Sequence, residues 1–91
     1  MERITAVARG KVQGVGYRQL VADSARRTGV HGEVRNMPDG SVMMIGESSE
    51  AALADFVRLV HADGHPLIRV ENIDVRAEPA TGEFKGFWVN W

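Results

Sequence analysis

Within the first 28 residues the apolar spacing changes period, and three glycines stand at the change. Ile4, Ala6 and Ala8 alternate with Arg3, Thr5, Val7 and Arg9, the period of a half-buried strand. Beyond "GKVQGVGYR" (Gly10 to Arg18), the residues Tyr17, Leu20, Val21, Ala25 and Thr28 follow helical spacing. Glycine weakens both strands and helices, so Gly10, Gly14 and Gly16 at one junction mark a loop whose backbone shape matters. A strand, a shaped loop and a helix are thereby fixed before anything else in the chain is considered.

The remaining pattern completes the fold. Arg26 and Arg27 suit the negative pole of the first helix, and Gly29 stops it. Val30 to Asn36 reads as a strand with Val30, Gly32 and Val34 on one face. "NMPDG" (Asn36 to Gly40) is a turn in which Pro38 presets φ and Asp39-Gly40 reverses the chain. Ser41 to Gly46 returns as a third strand with Val42 and Met44 inward. Ser48 or Ser49 caps a second helix whose buried stripe is Ala52, Leu53, Phe56, Leu59 and Val60, with Gly64 as its end. Ile68 to Arg76 alternates again, but Val70 and Ile73 are out of phase, which predicts a bulge near Glu71-Asn72. Phe87 to Trp91 forms a last short strand.

The order is βαββαβ plus that short strand. This is an α+β chain on the ferredoxin-like, split-βαβ plan: an antiparallel sheet with two helices on one face. Arg9, His31, Glu33 and Arg35 point to the open face. Residues 1–91 are expected to form a single domain, and a chain of this size buries roughly 60–65% of its unfolded surface. There is no cysteine, which removes disulfides, thiolate catalysis and thiolate metal sites. No apolar run resembles a signal peptide or a membrane span. A cytoplasmic monomer is expected. The formal net charge of −1 argues against nucleic acid as a partner and restricts anion binding to a few aimed groups.

The loop before the first helix has the makings of such a site. Glycines allow backbone N–H groups to converge, and a helix N-terminus follows them. Arg18, in the first turn, adds a permanently charged planar fork. A cation and an anion ~4 Å apart gain about 4 kcal/mol at an effective dielectric of 20. The helix end adds about 0.3–1 kcal/mol, so Arg18 is the larger contribution. A plain glycine turn with a solvated arginine explains the loop alone equally well. Two named phosphate loops are excluded, since no Gly-Lys-Ser/Thr ending is present and Gln19 stands where a dinucleotide fingerprint has its third glycine. Asn36 closes a central strand and either starts the turn or faces the loop, where its carboxamide could hold a water. His61 and His65 are four apart, but Gly64 interrupts the helix, so they do not read as a metal pair.

Together, "GKVQGVGYR" and "GEVRNMPDGSV" resemble the acylphosphatase family, and the resemblance spans essentially the whole chain. It implies hydrolysis of carboxyl–phosphate mixed anhydrides to carboxylate and inorganic phosphate, with no metal and no cofactor. It implies that Gln13, Gly14, Val15, Gly16 and Tyr17 bind phosphate through main-chain N–H groups, that Arg18 binds the phosphate oxygens, and that Asn36 orients the attacking water. The partners implied are a small acyl phosphate and inorganic phosphate as product and inhibitor. Glu33 departs from the family pattern, standing where many members carry an aromatic residue; it is expected to influence affinity or sheet solubility rather than chemistry. The alternatives are a non-catalytic module that binds a phosphorylated metabolite, and an RNA-binding module, for which His31, Glu33, Ser41 and Met43 supply no outward aromatic stack.

Overall fold

Alternation in the first strand separates into two faces. Ile4, Ala6 and Ala8 are buried, Thr5 and Val7 are half-buried and Arg9 is exposed. The computed structural model describes residues 1–91. Its elements are β1 (Glu2–Lys11), α1 (Tyr17–Thr28), β2 (His31–Asn36), β3 (Val42–Ser48), α2 (Glu50–Val60), β4 (Arg69–Glu78) and β5 (Phe87–Asn90). The sheet order is β4-β1-β3-β2-β5. The pairs among β4, β1, β3 and β2 are antiparallel, whereas β5 runs parallel to β2. The short last strand thus makes an otherwise antiparallel sheet mixed. No helix is long and apolar enough to cross a membrane.

The core lies between the sheet and the two helices. Ala6, Ala8, Val34, Val42 and Met44 from the strands meet Val21, Ala22 and Ala25 of α1 and Leu53, Phe56 and Val60 of α2, all buried. Phe56 contacts Phe87 at 6.0 Å between ring centroids, tilted by 56°. Fully burying one such side chain stabilises the fold by about 1.5–3 kcal/mol. Ala52 and Leu59, expected in the buried stripe of α2, are only half-buried at its margins. Ser49 accepts a hydrogen bond from the Ala52 N–H at 3.1 Å and is the N-cap of α2. The helix stops at Val60, short of the expected Gly64, because Ala62 takes a left-handed conformation (φ 54°).

The expected bulge in β4 is present. Arg9 pairs with Asn72 and Gly10 with Val70, leaving Glu71 without a partner. That extra residue brings Ile73, Val75 and Ala77 opposite Ala8, Ala6 and Ile4. Gly10 serves this crossing rather than the loop. A Cβ there would lie 2.3 Å from the Arg69 carbonyl oxygen, so no larger residue fits.

The charged residue that sequence reading passed over is Glu47. It falls in register opposite Arg3, is 1% exposed, and lies 3.2 Å from the Arg3 guanidinium. Its carboxylate also accepts the Thr81 and Gly82 N–H groups at 2.8 and 3.0 Å. The segment between β4 and β5 is therefore pinned to the sheet from beneath.

Candidate active site

At the end of β1 the chain enters the glycine loop, and α1 begins directly from it. Gly16 is the N-cap in a left-handed conformation (φ 84°), and no side chain caps the helix. No acidic residue stands in its first turn, whereas α2 has both Ser49 and Glu50. The first N–H groups of α1 thus keep their hydrogen-bonding capacity and the partial positive charge of the helix end. Gly14 is also left-handed (φ 75°), which turns the loop ahead of them.

Five hydrogen bonds fix the surroundings. The Tyr17 hydroxyl, buried in the core, donates to the Val60 carbonyl at 2.7 Å and satisfies an end carbonyl of α2. Burial pushes the Tyr17 phenol well above its ordinary value, so it remains a protonated donor. The Gln13 Nε2 donates to the Met37 and Ser41 carbonyls at 2.8 and 2.9 Å, tying the loop to the β2–β3 turn. Asp39 braces that turn by accepting from the Ser41 hydroxyl (2.6 Å) and N–H (3.0 Å), which hold its carboxyl below the usual range. Ser41, expected to point outward, is buried by this arrangement.

Val12, Gly14, Gly16, Tyr17, Arg18, Gln19, Asn36 and Trp91 line one cavity of about 140 Å³. Arg18 and Asn36, from separate elements, therefore share it. Arg18 makes no ion pair with a carboxylate; its NH1 donates to the Asn90 carbonyl at 3.1 Å, and its guanidinium lies 4.3 Å from the Trp91 ring centroid. The Asn36 Oδ1 is buried and accepts no hydrogen bond from the protein. A buried acceptor without a donor is costly and marks a place prepared for a polar ligand. Asn36 shares the parity of Val34 along β2, which directs it to the helix side of the sheet, whereas Glu33 and Arg35 face the open side.

Of the expected binding residues, Gly14, Gly16, Tyr17 and Arg18 line the cavity, while Gln13 and Val15 do not. Gln13 turns its side chain toward the hairpin, and Val15 packs against the core. Trp91 was missed as a lining residue because only the parallel pairing of β5 with β2 carries it there. His61 and His65 are occupied locally: Nδ1 of the first meets the Val57 carbonyl at 2.8 Å, and Nδ1 of the second accepts the Leu67 and Ile68 N–H groups. A larger groove of about 600 Å³, beside α2 and β4, has mainly apolar walls. Its one cation, Arg3, is already paired with Glu47 and Glu83, and Glu2 and Glu50 also line the groove, so its charge does not favour an anion.

Comparison with known proteins bears on the family and the fold. The acylphosphatase family model matches residues 4–89. An acylphosphatase of Rubrobacter xylanophilus is 42% identical over 88 residues, covering 97% of this chain and 79% of the relative. One from Paenarthrobacter aurescens is 44% identical over 87 residues, covering 96% and 92%. The crystal structure of acylphosphatase from Bacillus subtilis superposes with a TM-score of 0.93 at 32% identity, covering 100% of both chains.

Proposed function

The chain belongs to the acylphosphatase family and is an enzyme that hydrolyses acyl phosphates, and from that premise we propose how its residues divide the work. Arg18 and the N–H groups of the glycine loop bind the phosphoryl oxygens. Asn36 accepts a hydrogen bond from a water through Oδ1 and holds it in line with phosphorus. Water oxygen bonds to phosphorus as the bond from phosphorus to the carboxylate oxygen breaks with its electron pair. The carboxylate leaves, and the proton shed by the water passes to the phosphate.

The observation that supports this division is the shared cavity: an arginine without a carboxylate partner, an uncapped helix end and an unsatisfied carboxamide oxygen converge on about 140 Å³. A carboxamide is too weak a base to take the proton, and the Tyr17 hydroxyl is committed to Val60. The leaving carboxylate is a weak base and needs little protonation. Rate enhancement then comes from positioning and charge stabilisation, as phosphoryl transfer allows. No role falls to a metal, and activity on benzoyl phosphate is expected to be equal with and without EDTA.

Two substitutions test the roles. Arg18→Ala loses phosphate affinity and turnover together, by about 100-fold or more, the scale of removing one oxyanion donor. Asn36→Ala loses turnover yet still binds inorganic phosphate as a competitive ligand. Near-normal hydrolysis by the first variant, or loss of phosphate binding in the second, would defeat the assignment. A non-catalytic binding module would instead bind phosphate without releasing any from benzoyl phosphate.

A further inference from the structure

Resting on that reading, we propose that Trp91 is a specificity-determining residue: its ring, seated on the Arg18 guanidinium, is the wall against which the acyl part of the substrate lies, and it favours acyl phosphates with an aromatic acyl group. The size of the cavity is the first reason. Ligand pockets that enclose a whole small molecule run to roughly 300–1,000 Å³. About 140 Å³ accommodates a head group and leaves the acyl part at the rim.

The composition of the rim is the second reason. Three of the lining residues are apolar: Val12, Tyr17 and Trp91. Val12 and Tyr17 are each 1% exposed and present almost no surface to a ligand. Gly14, Gly16 and Gln19 offer backbone or amide groups. Trp91 is 85% exposed, so its ring is the one broad apolar surface available at this rim.

Its placement is the third. One face of the indole is held 4.3 Å from the Arg18 guanidinium, and the Asn90 carbonyl beside it accepts from the same arginine. A cation over a ring is attracted by the electron-rich face, which orients the indole at modest entropic cost. The other face remains open to a flat acyl group in an offset stack. A methyl group covers little of it, whereas a phenyl ring covers much of it.

The test compares kcat and KM for benzoyl phosphate and acetyl phosphate in the wild-type chain, Trp91→Ala and Trp91→Phe. In the wild type, benzoyl phosphate is expected to have the higher kcat/KM. Trp91→Ala should lower the benzoyl-to-acetyl ratio of kcat/KM about three- to tenfold, the range of an aromatic pair beyond area burial. The loss should fall mainly on KM for benzoyl phosphate, and Trp91→Phe should restore most of the ratio. The inhibition constant of inorganic phosphate, which reports how far loss of the ring disturbs Arg18, should change less than the KM for benzoyl phosphate. An unchanged ratio overturns the proposal, as does an equal loss for both substrates, which would make Trp91 a support for Arg18 alone. Hydrolysis of neither substrate by the wild type would instead strike the proposed function itself.

Discussion

Gln13 and Met37, 24 positions apart, are joined by a hydrogen bond of 2.8 Å from the Gln13 Nε2 to the Met37 carbonyl, and the same nitrogen reaches Ser41 at 2.9 Å. Met37 directly follows Asn36. This one carboxamide therefore sets the separation between the anion loop and the residue proposed to hold the water. Gln13→Ala removes two partly buried bonds and leaves two carbonyls without that donor. We expect a stability loss of about 1–2 kcal/mol in urea denaturation. Misplacing reacting groups by an ångström costs about 100-fold in rate, so a looser clamp should lower kcat about tenfold or more. Phosphate inhibition should suffer less, because Arg18 remains. Full activity in a purified Gln13→Ala variant would show that the clamp does not set the geometry.

How much of this was legible in the sequence differs by feature. Periodicity revealed the order of elements because a two-layer fold buries one face of each strand and one stripe of each helix. The out-of-phase pair Val70 and Ile73 revealed the bulge in the same way. The parallel docking of β5 on β2 was not readable, since nothing in Phe87–Asn90 encodes which strand it joins or in which direction. Trp91, read as the end of the last short strand, was consequently not seen as a cavity wall. Glycine spacing located the loop, but the separate jobs of Gly10 and Gly16 emerge only from the strand crossing and the helix cap. Gln13 fell within the loop and was assigned to phosphate through its main-chain N–H alone; the second job of its side chain, the tie to the hairpin, is set by a long-range contact that spacing does not encode. Glu47 escaped notice because a glutamate at a strand end usually faces water; a long-range register with Arg3 buries it.

Glu33 has a connection to the cavity that its place on the open face conceals. Its Oε2 accepts from the Asn90 Nδ2 and from Arg35 at 2.5 Å, while the Asn90 carbonyl accepts from Arg18. The carboxylate thus holds the strand that gives Arg18 its backbone partner. Glu33→Ala should leave Arg18 less well oriented and raise KM for acyl phosphates about two- to fivefold, in keeping with the 0.2–1 kcal/mol of an exposed pair. Removing a negative charge also favours an anionic substrate, but Arg35 already neutralises much of that field, so the loss of orientation dominates. The value of kcat should stay within about twofold, because Glu33 is not part of the proposed chemistry. An unchanged KM, or a fall in it, would count against this tether.

Acid should weaken the fold through Glu47. Burial alone would raise its carboxyl, but the N–H groups of Thr81 and Gly82, Arg3 and the Thr81 hydroxyl together outweigh burial and hold it below the ordinary glutamate range. Glu83 is likewise held low, chiefly by Arg3 and then by the Thr81 hydroxyl. A carboxyl whose folded value is depressed contributes stability that is fully present above its unfolded value of about 4.3 and lost as pH falls through the folded value. Stability should accordingly decline from about pH 5 downward. At pH 7, Glu47→Gln keeps an acceptor for one N–H group but loses the charge opposite Arg3, with an expected cost of about 2–3 kcal/mol. As pH falls and the wild-type carboxyl takes up its proton, the two proteins should converge. Urea denaturation at pH 7 and at acidic pH measures both quantities. A gap between wild type and Glu47→Gln that does not shrink toward acidic pH would mean that shape, rather than charge, fastens the segment between β4 and β5.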